Sequence, residues 1–155
     1  MVVTKSTLKS AVYKLFYNCI VDNYPNPHSS RYLVYPSFPI DKVTDRNAYP
    51  MLIVDSPFFD EDEFTFRETE YHCELDLTFY SLSKKDLDDL VQDIIKIIED
   101  QTKKIFEANG VEFLKITSDG GDPFNHGSDR GNNAVLGHSE TVTFDMKIYL
   151  ERITT

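Results

Sequence analysis

Apolar and polar positions alternate cleanly along residues 71–80. Tyr71, Cys73, Leu75, Leu77 and Phe79 interleave with His72, Glu74, Asp76, Thr78 and Tyr80, the period-2 pattern of a strand with one buried face. The period then changes. Leu87, Leu90, Val91, Ile94, Ile95, Ile98, Ile105 and Phe106 fall at helical spacing. Ser83 stands at the N-cap with Asp86 in the capping-box position, and Asn109-Gly110 supplies a left-handed stop. The spacing predicts one helix over Ser83–Asn109, about 40 Å long at 1.5 Å per residue. Leu90, Ile94 and Ile98 are its expected core residues.

Other segments follow the same logic. Leu8, Val12, Leu15, Phe16 and Cys19 form a helical stripe, widened by Tyr13, Tyr17 and Val21, within a helix from about Ser6 or Thr7 to Asn23. Tyr24-Pro25-Asn26-Pro27 ends it, because proline cannot donate a hydrogen bond and disfavours helix in the residue before it. Residues 25–50 read as an irregular crossing with Pro25, Pro27, Pro36, Pro39 and Pro50, and a short extended piece at Arg31–Tyr35. Met51-Leu52-Ile53-Val54 reads as an interior strand buried on both faces. Phe58–Glu63 is expected to be a loop. Phe64 and Phe66 are out of phase with Tyr71–Phe79, so a bulge or turn near Arg67–Glu70 is predicted. Val111–Thr117 is a strand of mixed pattern, and Ser118–Gly137 a long Gly/Asp/Asn-rich loop. In the last strand Val142, Phe144, Met146, Ile148 and Leu150 alternate with Thr141, Thr143, Asp145, Lys147, Tyr149 and Glu151. There is no internal repeat. Two helices on one face of a mostly antiparallel sheet of four to five strands would bury every stripe, which is α+β architecture.

Composition narrows the possibilities. A chain of 155 residues with 41% hydrophobic and 13% aromatic content is expected to fold as a single domain over 1–155. The formal charge is −10. It is concentrated in Asp55, Asp60, Glu61, Asp62, Glu63, Glu68, Glu70, Glu74 and Asp76, a segment whose one basic residue is Arg67. No basic stripe is present to hold a phosphate backbone, so nucleic-acid affinity is not expected. The plainer account of the acidic run is a solvated, solubilising face.

Cys19 and Cys73 do not form a disulfide framework and read as buried thiols, in keeping with intracellular synthesis. No stretch reaches the ~18 apolar residues of a membrane span, and the start lacks the apolar core of a signal peptide. A soluble protein without usual export is expected.

At this point the chain resembles the tail terminator (tail completion, tail-to-head joining) proteins of long-tailed phages and related viruses. The resemblance rests on Tyr49-Pro50-Met51-Leu52-Ile53-Val54 as a proline followed by an apolar strand, and on the long alternating strand Tyr71–Tyr80. It continues through the junction Ser81–Asp89 and the closing strand Glu140–Glu151, with the helix Ser6–Asn23 in front. These are polarity patterns spread over most of the chain. The resemblance implies a structural virion protein of the tail and neck, assembled in the host cytoplasm. It implies a hexameric ring that caps the tail tube, ends its polymerisation and meets the head connector or another neck protein. DNA would pass through such a ring without specific binding, and an acidic lining would repel it. No membrane partner and no cofactor are implied.

Two segments are candidate contacts with a neighbouring subunit or the tube. Phe58 and Phe59 place large apolar area in an expected loop beside Asp60, Glu61, Asp62 and Glu63, where it is poorly placed for the core. The alternative is that both rings tuck under their own sheet. The second segment is the Ser118–Gly137 loop with Asp122, Phe124, Asn125, Asp129, Arg130, Asn132 and Asn133. Its glycines, Gly120, Gly121, Gly127, Gly131 and Gly137, leave many conformations open and little to bury. It is expected to order on assembly, with Phe124 as anchor and Arg130 pairing with an acidic neighbour.

Catalytic signals are weak. Asp119-Gly120-Gly121-Asp122 with Asp129 lacks the D-x-D-x-D-G pattern and closing Glu of a calcium loop. His126 and His138 lack zinc-ligand spacing with Asp122 and Asp129, and two histidines in a polar loop are usually solvated. Gly120-Gly121 does not precede a helix and makes no phosphate cradle. There is no G-x-S-x-G elbow and no Cys/His pair. No enzyme is expected. The competing readings are another neck protein, such as a head-closure or connector component, and a small metal-dependent hydrolase on the Asp/His-rich loop. Native mass spectrometry separates them, because a metal-bearing monomer would favour the hydrolase.

Overall fold

The computed structural model describes residues 7–29, 31–37, 39, 45–59, 70–126 and 135–149. The expected bulge near Arg67–Glu70 lies mostly outside this set. In chain order the elements are α1 (Leu8–Asn23), β1 (Val34–Tyr35), β2 (Met51–Val54), β3 (Phe58–Phe59), β4 (Glu70–Ser81), α2 (Lys84–Asp100), β5 (Val111–Ser118), β6 (Asp122–His126) and β7 (Val135–Tyr149). The architecture is α+β. One seven-stranded sheet runs β1-β2-β4-β7-β5, with β3 beside β4 and β6 beside β7. Only β1 against β2 is parallel. The sheet therefore holds seven strands where four to five are expected from the sequence, because β1, β3 and β6 are short pieces without a period of their own.

The alternating stripes pack as their periods predict. Tyr71, Cys73, Leu75, Leu77 and Phe79 of β4 and Val142, Phe144, Met146 and Ile148 of β7 turn to one side of the sheet. Leu8, Val12, Phe16 and Cys19 of α1 and Leu87, Leu90, Ile94 and Ile98 of α2 meet them there. Phe16 contacts the rings of Phe106, Phe113 and Phe144, with centroids 4.9–6.0 Å apart. On α1, Val21 is exposed, while Ala11 and Ile20 are buried, so the stripe leans to the other side of Phe16 than expected.

The second long helix starts as predicted. The Ser83 hydroxyl accepts a hydrogen bond from the Asp86 N–H at 3.1 Å. It does not continue as one α-helix to Asn109. After Asp100 the chain loosens into a π-helical turn, Thr102–Phe106, and a 3-10 turn, Glu107–Asn109, stopping at Gly110 with φ +80°. The Thr102 hydroxyl donates to the Ile98 carbonyl at 3.0 Å, a side-chain bond of the kind that disturbs a helical ladder. The wider turn adds a residue to the repeat. Phe106 is thereby fully buried, while Ile105, seven residues after Ile98, is only half-buried.

The opposite side of the sheet divides in two. At one end the described parts of the 25–50 crossing fold over it. Tyr35, Ala48 and Tyr49 pack with Met51, Ile53 and Val135, and with the partly buried Tyr80 and Phe124, in a second core. This cover is why all four residues of β2 are buried. Of the expected piece Arg31–Tyr35, only Val34–Tyr35 pairs as a strand.

The described residues of the expected loop Ser118–Gly137 are largely sheet. β5 and β6 both run along the same edge of β7, with Ser118 opposite Val142 and Asp122 opposite Ser139. They are one long strand interrupted at Gly120-Gly121, whose φ angles of +82° and +85° suit glycine. The Asp119 carboxylate accepts the amides of Gly121 and Thr141 at 3.0 and 3.1 Å, which holds the bulge. Beyond it, Phe124 lies opposite Gly137. A Cβ on Gly137 would stand 2.4 Å from the Ser81 carbonyl oxygen and 2.7 Å from the Phe124 ring, so only glycine fits.

Candidate assembly surface

Away from the second core the same side of the sheet is polar, its side chains half-buried to exposed. β4 contributes His72, Glu74, Asp76 and Thr78, and β7 contributes Thr141, Thr143, Asp145, Lys147 and Tyr149. Glu112, Lys115 and Thr117 join them from β5. This is the hydrophilic half of each alternating strand, so the period that builds the core also builds this face.

Its side chains bind one another across the strands. Thr143 donates to Asp76 at 2.6 Å, Thr78 and Thr141 lie 3.3 Å apart, and Tyr149 donates to Glu112 at 3.0 Å. His72 is paired diagonally with Asp145. Asp55 continues β2 and donates its amide to the Asp76 carbonyl at 3.1 Å. Burial, and then the neighbouring Asp76 charge, push the Asp55 carboxyl above its ordinary range.

The aromatic pair Phe58-Phe59, expected in a loop, forms a strand, and the strand separates the two rings. Phe58 lies opposite Glu74 on the open side and is 68% exposed. Phe59 lies opposite Cys73 on the helix side, is 8% exposed and belongs to the main core. Phe59 is thus a packing residue and Phe58 alone presents apolar surface. The companion residues Asp60, Glu61, Asp62 and Glu63 lie outside the described residues.

The second predicted segment divides as well. Asp122 and Asn125 are exposed on β6. Phe124 is half-buried against its own chain, stacked on Tyr49 at 5.5 Å and edge-on to Tyr80 at 5.5 Å. Within the chain it anchors β6 against Tyr49 and Tyr80. Asp129, Arg130, Asn132 and Asn133 lie outside the described residues. Phe58 and Phe124 stand on the same side of the sheet, the first in the open part and the second in the covered part.

Leu114 and Ile116 of β5 are further contact candidates, beyond those the sequence pattern points to. They are 45% and 38% exposed on the outermost strand. The signal was the adjacent apolar pair Phe113-Leu114 in an otherwise alternating strand. The register slips between Phe113 and Lys115, leaving Leu114 in a bulge.

Cys19 and Cys73 are buried free thiols. Burial raises them to about 11 and about 12, which leaves them protonated at neutral pH. Among the described residues no group of three or more His, Cys, Asp or Glu side chains could hold a metal ion. No described helix is long and apolar enough to cross a membrane. No protein-family model and no curated protein matches the chain.

Proposed function

We propose that this chain is a structural subunit of a viral tail: a terminator that forms a ring on the last layer of the tail tube, ends its growth and offers a surface to the head connector. The observation that carries this reading is the layered sheet. Two helices seal one side, while the other presents a broad acidic face with the exposed ring of Phe58 at its margin. The order of elements that underlies the resemblance supports it too: helix, apolar strand after Tyr49-Pro50, long alternating strand, capped helix, closing strand.

A face of paired carboxylates and hydroxyls suits a passage for DNA. Its net negative charge repels phosphate, and several of its polar side chains are engaged with one another, which disfavours retention of the polymer. The role is mechanical rather than catalytic, and the partners are further copies of the chain, the tube protein and a neck protein, in the virion.

The test is assembly. Purified chain examined by native mass spectrometry and negative-stain microscopy is expected to give closed rings of about six copies, the symmetry that a head-to-tail contact generates when it closes. Added to polymerising tube protein, it should stop elongation. A strict monomer at high concentration, or tubes that grow unchecked in its presence, would overturn the reading.

A further inference from the structure

Two margins of the sheet, β5 and β3, have no described strand beyond them, and they match. On one side β5 is the outermost strand, and no described strand lies beyond it. Backbone pairing at Asp119–Thr141 and at Gly110–Tyr149 fixes the alternation of its ladder. The peptide groups of Val111, Phe113, Ile116 and Ser118 therefore point away from β7. No proline interrupts this row, and Leu114 and Ile116 expose apolar side chains along it. Native proteins normally protect such a row, and an unprotected one is a template for strand addition. On the other side β3 pairs, among the described residues, only with β4, and it exposes Phe58.

The two margins stand at the same level along the strands. Phe58 is opposite Glu74, Glu74 opposite Asp145, and Asp145 opposite Lys115. Phe59, Cys73, Met146 and Phe113 make the adjacent row. A second copy rotated about an axis parallel to the strands, without sliding, brings its Phe58 beside Leu114 and Lys115. Strand direction also continues correctly: β3, β4, β7 and β5 alternate, so β5 of one copy meets β3 of the next in antiparallel sense.

Charge favours the same arrangement. β5 and the turn that feeds it carry Lys103, Lys104 and Lys115 against Glu107 and Glu112, a basic balance in a chain of net charge −10. The β3 margin has Asp55 and Glu74, and the sequence runs on into four successive carboxylates. Two β5 margins would set lysines against lysines, whereas β5 against β3 sets opposite charges together.

We infer that copies of this chain associate head to tail, β5 of one against β3 of the next, so that the sheet continues across the subunit boundary with Phe58 over Leu114 and Lys115. This rests on the ring reading above and names the contact that builds the ring.

The experiment uses the full chain with Leu114→Lys on one margin and Phe58→Ser on the other. Both side chains are exposed, so far-UV circular dichroism and melting should match the parent. Each variant alone is expected to need about tenfold or more higher concentration to associate in sedimentation velocity. Mixed, they should form a one-to-one pair and nothing larger, because each supplies the margin the other has lost. Lys115→Glu should weaken association in the same direction, and added salt should weaken the parent. Parent rings that persist in both variants would overturn this contact and leave the ring reading standing. A parent that stops at a dimer insensitive to Phe58→Ser would point to β5 against β5 and overturn it too. A strictly monomeric parent would remove both.

Discussion

Asp55 shows how a single residue is tuned by where its strand ends. Its backbone joins the sheet beside Asp76, and its carboxyl is pushed up by burial and by that neighbour. A carboxyl whose folded value lies above its unfolded one binds its proton more tightly in the native state, so the fold loses stability as pH rises through that value. Asp55→Asn is therefore expected to raise the melting temperature at neutral pH. The advantage over the parent should vanish below the ordinary value of 3.8, where both side chains are neutral. Melting curves from acidic to neutral pH test this, and an advantage that persists in acid would mean that charge is not the cause. Phe58 and Phe59 teach the companion lesson: neighbours in sequence fall on opposite sides of a sheet, one in the core and one in solvent.

At the scale of elements, the long periodic segments were legible because their signal is local. A stripe of Leu87, Leu90, Val91, Ile94 and Ile98 can bury itself only as a helix, and Ser83 caps it as its side-chain chemistry demands. Ile94 is fully buried between α2 and the sheet, so Ile94→Ala should destabilise the fold by about 2–5 kcal/mol. Chemical denaturation measures it; an unchanged midpoint would mean that this face does not pack on the sheet. The π turn at Thr102–Phe106 was not legible, because inserting one residue into a helix depends on what Phe106 meets in the core. The strand β6 was hidden for a related reason. Its Asp-Pro-Phe-Asn-His sequence has no period, and it becomes a strand only because β7 extends far enough to pair with it.

For the whole molecule, the net charge of −10 and the open face of paired carboxylates and hydroxyls make one prediction about DNA. Duplex DNA should not be retarded by this chain in gel-shift experiments, at low salt as well as high, since the sequence has no basic stripe to neutralise phosphates and release counterions. A salt-sensitive shift would contradict a DNA passage that does not bind. The matching levels of β3 and β5 belong to this scale as well. No window of the sequence contains that match, for it arises from four strands contributed by residues 58–146.

The sequence by itself determined the faces of β4, β7 and α2, the cap at Ser83, the stop at Gly110 and the interior character of Met51–Val54, because each follows from spacing or from the chemistry of neighbouring residues. The tertiary structure alone decided what covers the second side of β2, that Phe124 anchors its own hairpin, that Phe58 and not Phe59 is offered outward, and that two margins of the sheet lie level. Those outcomes depend on register between distant strands, and a register is set by the packing of the whole core rather than by any local run of side chains.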